Sequence, residues 1–259
     1  MIDLKQIESF YPDFLRPFKK NLLREYLQYK ILEIVFDSKY GNKLAFMGET
    51  AIHIIHSNTR FSEDLDFDNL NLKREEFEVL AQLIAQKLKI QGYKIETKLV
   101  LKKACRLHIK IPELLYESKL STNRGEKIHI QIDTEPQNFS YKADQILINK
   151  FDVFLRIAVV PVDILLSQKL YCIFARRRPM GRDFYDAVFL LGKTKPNLKY
   201  LKEKLEIEDY KHLKSRLLQK SKRLNLVQLA KEVEPFLFNP SDSKKVLLFA
   251  EYIKGYEFE

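Results

Sequence analysis

The chain changes character at Pro161, and this limits the folds open to it more than any other feature. Before it, helical and extended patterns alternate. Apolar positions at helical spacing run from 20 to 38, with Gly41 as the stop. KLAFM (43–47) reads as a short buried strand ending at Gly48, TAIHIIHS (50–57) as a helix packed on it, and DLDFDN (64–69) as a second strand. An amphipathic helix over 73–91 is closed by Gly92, and β-rich segments follow at 93–101, 105–111, 127–134 and 151–160. After Pro161 only helical patterns remain, at 162–176, 182–192, 198–204, 209–220, 224–235 and 241–253, separated by turn signals such as RRPMG, KPN and NPSDS. The expected architecture is α+β: a domain over 1–160 with a mixed sheet and flanking helices, then a helical domain over 161–259.

Several classes drop out. At 259 residues with 46% hydrophobic and 31% charged side chains, the chain can bury a proper core and is not a disordered type. No apolar run approaches the roughly 18 to 20 residues of a membrane span. The start, MIDLKQIESFYPDF, lacks the basic-then-apolar order of a signal peptide, so a cytoplasmic location is expected. Cys105 and Cys172, without a CxxC, predict neither a disulfide framework nor a zinc site. Seven glycines and no GxxxxGKS loop argue against a dinucleotide-binding fold or a P-loop. The net charge of +10 suits a polyanionic partner, and equally suits plain solubility.

Asp64-Leu65-Asp66 is the most informative short stretch. Side chains alternate along a strand, so the two carboxylates share a face while Leu65 and Phe67 share the other. In KIHIQIDTEP, Ile128, Ile130 and Ile132 form one face, and His129, Gln131 and Asp133 the opposite one. If the two strands are neighbours, Asp133 joins the pair. Adjacent carboxylates repel unless a cation lies between them, and three hard oxygen ligands suit Mg²⁺ or Mn²⁺. The same spacing also describes a solvated strand end, with Asp133 capping a turn.

The wider context of that stretch is more specific. MGETAIHIIHSNTRFSEDLDFD (47–68) closely resembles the defining motif of the AbiEii/AbiGii-type nucleotidyltransferase toxin family: a glycine turn, Thr-Ala, then Arg-Phe-Ser-Glu-Asp-Leu-Asp-Phe. Gly48, Thr50, Ala51 and the block from Arg60 to Phe67 are kept. SQKLYCIFARRRPMGRDFYD (167–186) is similar to the family's later lysine helix and Arg-Asp-x-Tyr-Asp helix, here Lys169, Arg182, Asp183, Tyr185 and Asp186. The resemblance implies a nucleotidyltransferase-like fold, with Asp64, Asp66 and Asp133 catalytic and holding a divalent metal, and an NTP as nucleotide donor. It also implies a toxin of a toxin–antitoxin or phage-defence system, hence a cognate antitoxin, with RNA, tRNA in some relatives, as acceptor.

Gly48, Glu49, Thr50, Arg60, Lys169, Asp183 and Asp186 are the expected nucleotide-binding set. A glycine turn at a helix start offers N–H groups to a triphosphate, and Lys169 offers it a mobile charge. Arg60 suits orienting Asp64, touching a phosphate, or a simple salt bridge. Asp183 and Asp186, three apart on a helix, suit holding Lys169 or Arg182, and Asp183 also suits a helix N-terminus. Arg176, Arg177, Arg178 and Arg182 suit an RNA backbone, as does 193–231 with twelve Lys or Arg against four Asp or Glu. The five histidines show no metal spacing. Glu49 departs from the family, standing where the turn has a second Gly or Ser; a carboxylate there repels a triphosphate. An impaired NTP- or RNA-binding protein on the same fold is therefore the alternative to an enzyme, and a protein acting mainly through its basic helical half is a second.

Overall fold

A computed structural model describes residues 3–102 and 104–258. The chain forms two compact units, one of 1–55 with 62–160, the other of 56–61 with 161–259.

The first unit is built on a seven-stranded mixed sheet. Its strands are β1 (Leu44–Met47), β2 (Leu65–Asn69), β3 (Glu96–Leu101), β4 (Cys105–Pro112), β5 (Lys127–Glu135), β6 (Asp144–Lys150) and β7 (Val153–Val159), in the order β3-β4-β5-β2-β1-β7-β6. Five helices accompany it: α1 (Leu4–Ser9), α2 (Lys19–Phe36), α3 (Gly48–His56), α4 (Arg74–Ile90) and the single turn α5 (Leu114–Glu117). Strands β2 and β5 run parallel, as do β1 and β7; the other pairs are antiparallel.

The alternation in the sequence decides which face is covered. Leu107, Ile109 and Ile111 on β4 stand opposite Ile132, Ile130 and Ile128 on β5, all buried. Helices α2 and α4 pack on the sheet, and that burial is the main stabilising contribution here. The opposite face of the same strands carries Arg106, His108 and Lys110 beside Asp133, Gln131 and His129, all at least partly exposed. One sheet thus has a greasy side and a charged side.

Several elements differ from the sequence expectation. The first nineteen residues, which carry no periodicity strong enough to assign, hold α1 and a 3₁₀ turn over Asp13–Phe18. Helix α1 starts at a capping box between Asp3 and Gln6. The expected strand over 151–160 is one arm of a hairpin whose other arm, β6, has only one buried residue and so little apolar signal. Phe151 makes its turn at φ 58°, where glycine is usual. Phe10, Tyr11, Tyr26 and Tyr29 surround the Phe151 ring at centroid distances of 5.0 to 6.1 Å, which offsets the strain.

The second unit is helical: α6 (Val162–Ala175), α7 (Gly181–Leu191), α8 (Leu198–Leu205), α9 (Tyr210–Ser221), α10 (Leu226–Val233), α11 (Lys244–Leu247) and α12 (Phe249–Gly255). The single helix expected over 241–253 is broken into a 3₁₀ turn, α11 and α12. Gly181 opens α7 against the Leu229 carbonyl of α10, where any Cβ would collide with it. Residues 56–61 join this unit through backbone bonds, Phe61 N–H to Phe236 O (2.8 Å) and Phe238 N–H to Thr59 O (3.1 Å).

Candidate functional site

Strand β1 ends at Met47, opposite Asp66 of β2, and the chain turns at Gly48 into α3. Gly48 sits at φ 76°, and a Cβ there would run into the Asp66 carboxylate. Two needs therefore coincide on this glycine: the left-handed backbone and the close approach of an acid. Thr50 is fully buried, and its hydroxyl meets Ser62 Oγ at 2.5 Å and donates to the Asp64 carbonyl. The sequence places Thr50 among the nucleotide contacts. Its hydroxyl ties the start of α3 to the segment leading into β2.

The carboxylates come together as the alternation requires. Asp66 on β2 and Asp133 on β5 are direct partners across the parallel pair. Asp64 stands just before β2, and its Oδ1 accepts the backbone N–H of Gln131 at 3.1 Å. Burial raises the Asp64 pKa, the Gln131 bond opposes this, and the charges of Glu49, Glu63 and Asp133 push further upward. Glu49, itself largely buried in the first turn of α3, thus belongs to the same acidic neighbourhood.

Two residues here, Arg106 and Asp68, were not singled out in the sequence. Arg106 of β4 lies across from Asp133 and grips it with a fork, Nε to Oδ1 at 2.6 Å and Nη2 to Oδ2 at 3.1 Å. Gln131 Nε2 adds a third donor to Asp133 Oδ2 at 2.9 Å. Asp68, the third acid of DLDFD, is buried and structural: it accepts Gln137 N–H (2.8 Å) and Tyr141 O–H (2.6 Å), pinning the connection between β5 and β6. Its alternate spacing was visible; its partners, some seventy residues on, were not.

The arrangement bears on the expected metal. Among the described residues no three Asp, Glu, His or Cys side chains are grouped so that they could hold a metal ion by themselves. A Mg²⁺ ion needs only one or two protein carboxylates, because phosphate oxygens and waters supply the rest. Asp66 and Asp133, in register on adjacent strands, fit that smaller demand.

The other expected nucleotide-binding residues form a cluster within the second unit. Arg60, fully buried, forks onto Asp186 with Nε to Oδ1 and Nη2 to Oδ2 both at 2.7 Å, and donates to the Phe61 carbonyl at 3.1 Å. Asn58 Nδ2 reaches Asp186 Oδ1 at 2.8 Å. Lys169 Nζ lies 2.9 Å from Asp186 and 3.5 Å from Asp183, and Arg176 Nε lies 3.0 Å from Asp183. Burial pushes the Asp186 pKa up, but the charges of Arg60 and then Lys169 outweigh it and hold the carboxyl at about 2. Of the roles the sequence left open for Arg60, the structure supplies the salt bridge. Asp183 and Asp186 hold Lys169. The basic turn is also partly engaged: besides Arg176 on Asp183, Arg178 pairs with Glu232 at 2.5 Å.

A mixed sheet with acids in register on two parallel strands, beside a glycine turn into a helix, defines the nucleotidyltransferase class of fold. JHP933 from Helicobacter pylori shares it, at a TM-score of 0.54 and 20% identity, over 90% of this chain and 91% of that one. A second H. pylori chain assigned to the nucleotidyltransferases matches with the same score and identity, over 90% and 93%. No curated protein sequence matches the chain. The model of the family "Nucleotidyl transferase AbiEii toxin, Type IV TA system" matches residues 30–246, and the chain belongs to that family.

Proposed function

We propose that this protein transfers a nucleotide from an NTP to an RNA acceptor, with tRNA the first candidate, as the toxin of a type IV toxin–antitoxin pair. The observation that carries the reading is the registered pair Asp66–Asp133 beside the Gly48 turn. Mg²⁺ or Mn²⁺ bound there would polarise the reacting phosphate and neutralise the leaving pyrophosphate. Asp66 and Asp133 would hold it, and Asp64 would add negative charge, anchored by the Gln131 N–H. The N–H groups of the first turn of α3 would meet the phosphates of a nucleotide bound there, a favourable place for negative charge. Glu49 stands in that turn and opposes it.

The test is incubation with each α-labelled NTP, Mg²⁺ and total tRNA. Label appearing in RNA, lost with chelator, supports transfer. Tight nucleotide binding without label transfer would favour the second reading, an impaired NTP-binding protein, which the position of Glu49 specifically favours. For the partner, a small antitoxin gene beside this one, whose product suppresses growth arrest by this chain, is the expected outcome.

A further inference from the structure

Among the described residues two Arg–Asp pairs form forks, and they differ in one decisive respect. Arg60 and Asp186 are both wholly buried, so that pair is a permanent fixture. The side chains of Arg106 and Asp133 are 42% and 25% exposed, and their pair is open to water. Exposed ion pairs are weak and readily exchanged. Arg106, Asp133 and Asp66 occupy one row across β4, β5 and β2. The guanidinium therefore lies on the acid that faces Asp66, and it occupies a lone-pair position on each oxygen of that acid.

We propose that Arg106 is a built-in counter-cation of the acidic pair, seated on Asp133 until a divalent ion displaces it. This rests on the metal-site reading above. Carboxylates brought into register need a cation between or upon them. A guanidinium matches a carboxylate as a planar fork but cannot bridge two strands with short metal–oxygen bonds. Arg106 and Gln131 already take both lone pairs of Oδ2 and one of Oδ1, and two cations on one carboxylate repel each other, so guanidinium and metal compete. Gln131, with its amide on Oδ2, keeps the carboxylate aimed when the fork leaves. The device keeps the acidic face folded without metal and makes occupancy by metal a switch in the position of Arg106.

The test is Mn²⁺ titration without nucleotide, at fixed ionic strength, followed by the spin-resonance signal of the free ion. Wild type is compared with Arg106→Gln, Arg106→Lys and Asp66→Asn. Removing the competitor should tighten Mn²⁺ binding about two- to fivefold in Arg106→Gln, the range expected for losing an exposed pair. Arg106→Lys, which cannot fork, should fall between, and it preserves the comparison should the glutamine variant fold poorly. Unchanged or weaker Mn²⁺ binding in both variants would overturn the proposal. If Asp66→Asn binds as wild type does, the metal site itself is misplaced, which is a distinct failure.

Discussion

Asp186 accepts from Asn58 and twice from Arg60, and meets Lys169, with no exposed surface of its own. Breaking such a buried set by removing one partner typically costs about 3 to 5 kcal/mol. Asp186→Ala should lower unfolding stability by that order, read from urea denaturation, and Asp186→Asn by less. Its folded pKa, near 2, lies below the usual 3.8, and Glu25, held near 2 against 4.5, behaves alike. Burial pushes Glu25 up, but the charges of His53 and Lys150 outweigh it. Both groups thus give stability that is full above about pH 4.5 and is lost as pH falls toward 2. Asp186→Asn and Glu25→Gln should each flatten that acid limb. Asp64 carries the opposite sign. Its pKa is raised, mainly by burial, so stability falls as pH rises from the ordinary carboxylate value through the folded one, and the loss is complete above it; Asp64→Asn should therefore raise the metal-free melting temperature at neutral pH. An unchanged or lower value would show that burying the Asp64 charge beside Glu49, Glu63 and Asp133 carries no cost. At Glu49, a carboxylate beside phosphates at intermediate dielectric costs on the order of 1 to 4 kcal/mol. Glu49→Ser should therefore tighten binding of a non-hydrolysable NTP in Mg²⁺, measured by calorimetry. Weaker binding would make Glu49 a working ligand.

At the scale of elements, alternation made β4, β5 and β2 readable, and with them the shared face of Asp66 and Asp133. Register was not readable, so Arg106 went unseen although its strand was expected. The β6–β7 hairpin was missed because Phe151 stands where Gly or Asn would have marked a turn. That turn gives its own prediction. Phe151→Ala loses the aromatic packing and keeps the strained φ; Phe151→Gly loses the packing but relieves the strain. Both should be destabilised, the alanine variant by about 1 to 3 kcal/mol, less than a fully buried ring would lose because Phe151 is half-buried. The glycine variant should be the more stable of the two by about 1 kcal/mol. Equal stabilities in chemical denaturation would show that the positive φ carries no strain.

For the whole molecule, the change of pattern at Pro161 was plain in the sequence, while the membership of residues 56–61 in the helical unit was not. Its cause is the buried partner of Arg60, 126 positions away. The net charge of +10 suits an RNA acceptor. With Arg176 and Arg178 already paired, the exposed Lys211, Lys222 and Arg223 are better candidates for gripping phosphates. Neutralising all three should weaken tRNA binding and reduce its salt slope by about one for each phosphate no longer neutralised; an unchanged slope would move the RNA surface elsewhere. The central claim is that the acids in register perform the transfer. Its most direct measurement is label transfer from NTP to tRNA at saturating Mg²⁺ by wild type and by Asp66→Asn of matched circular dichroism. The account predicts labelled tRNA from wild type and a loss on the order of 100-fold or more in the variant, the equivalent of about 2.7 kcal/mol of barrier. Transfer that survives Asp66→Asn at near wild-type rate, or wild type that labels no RNA with any NTP, would contradict it.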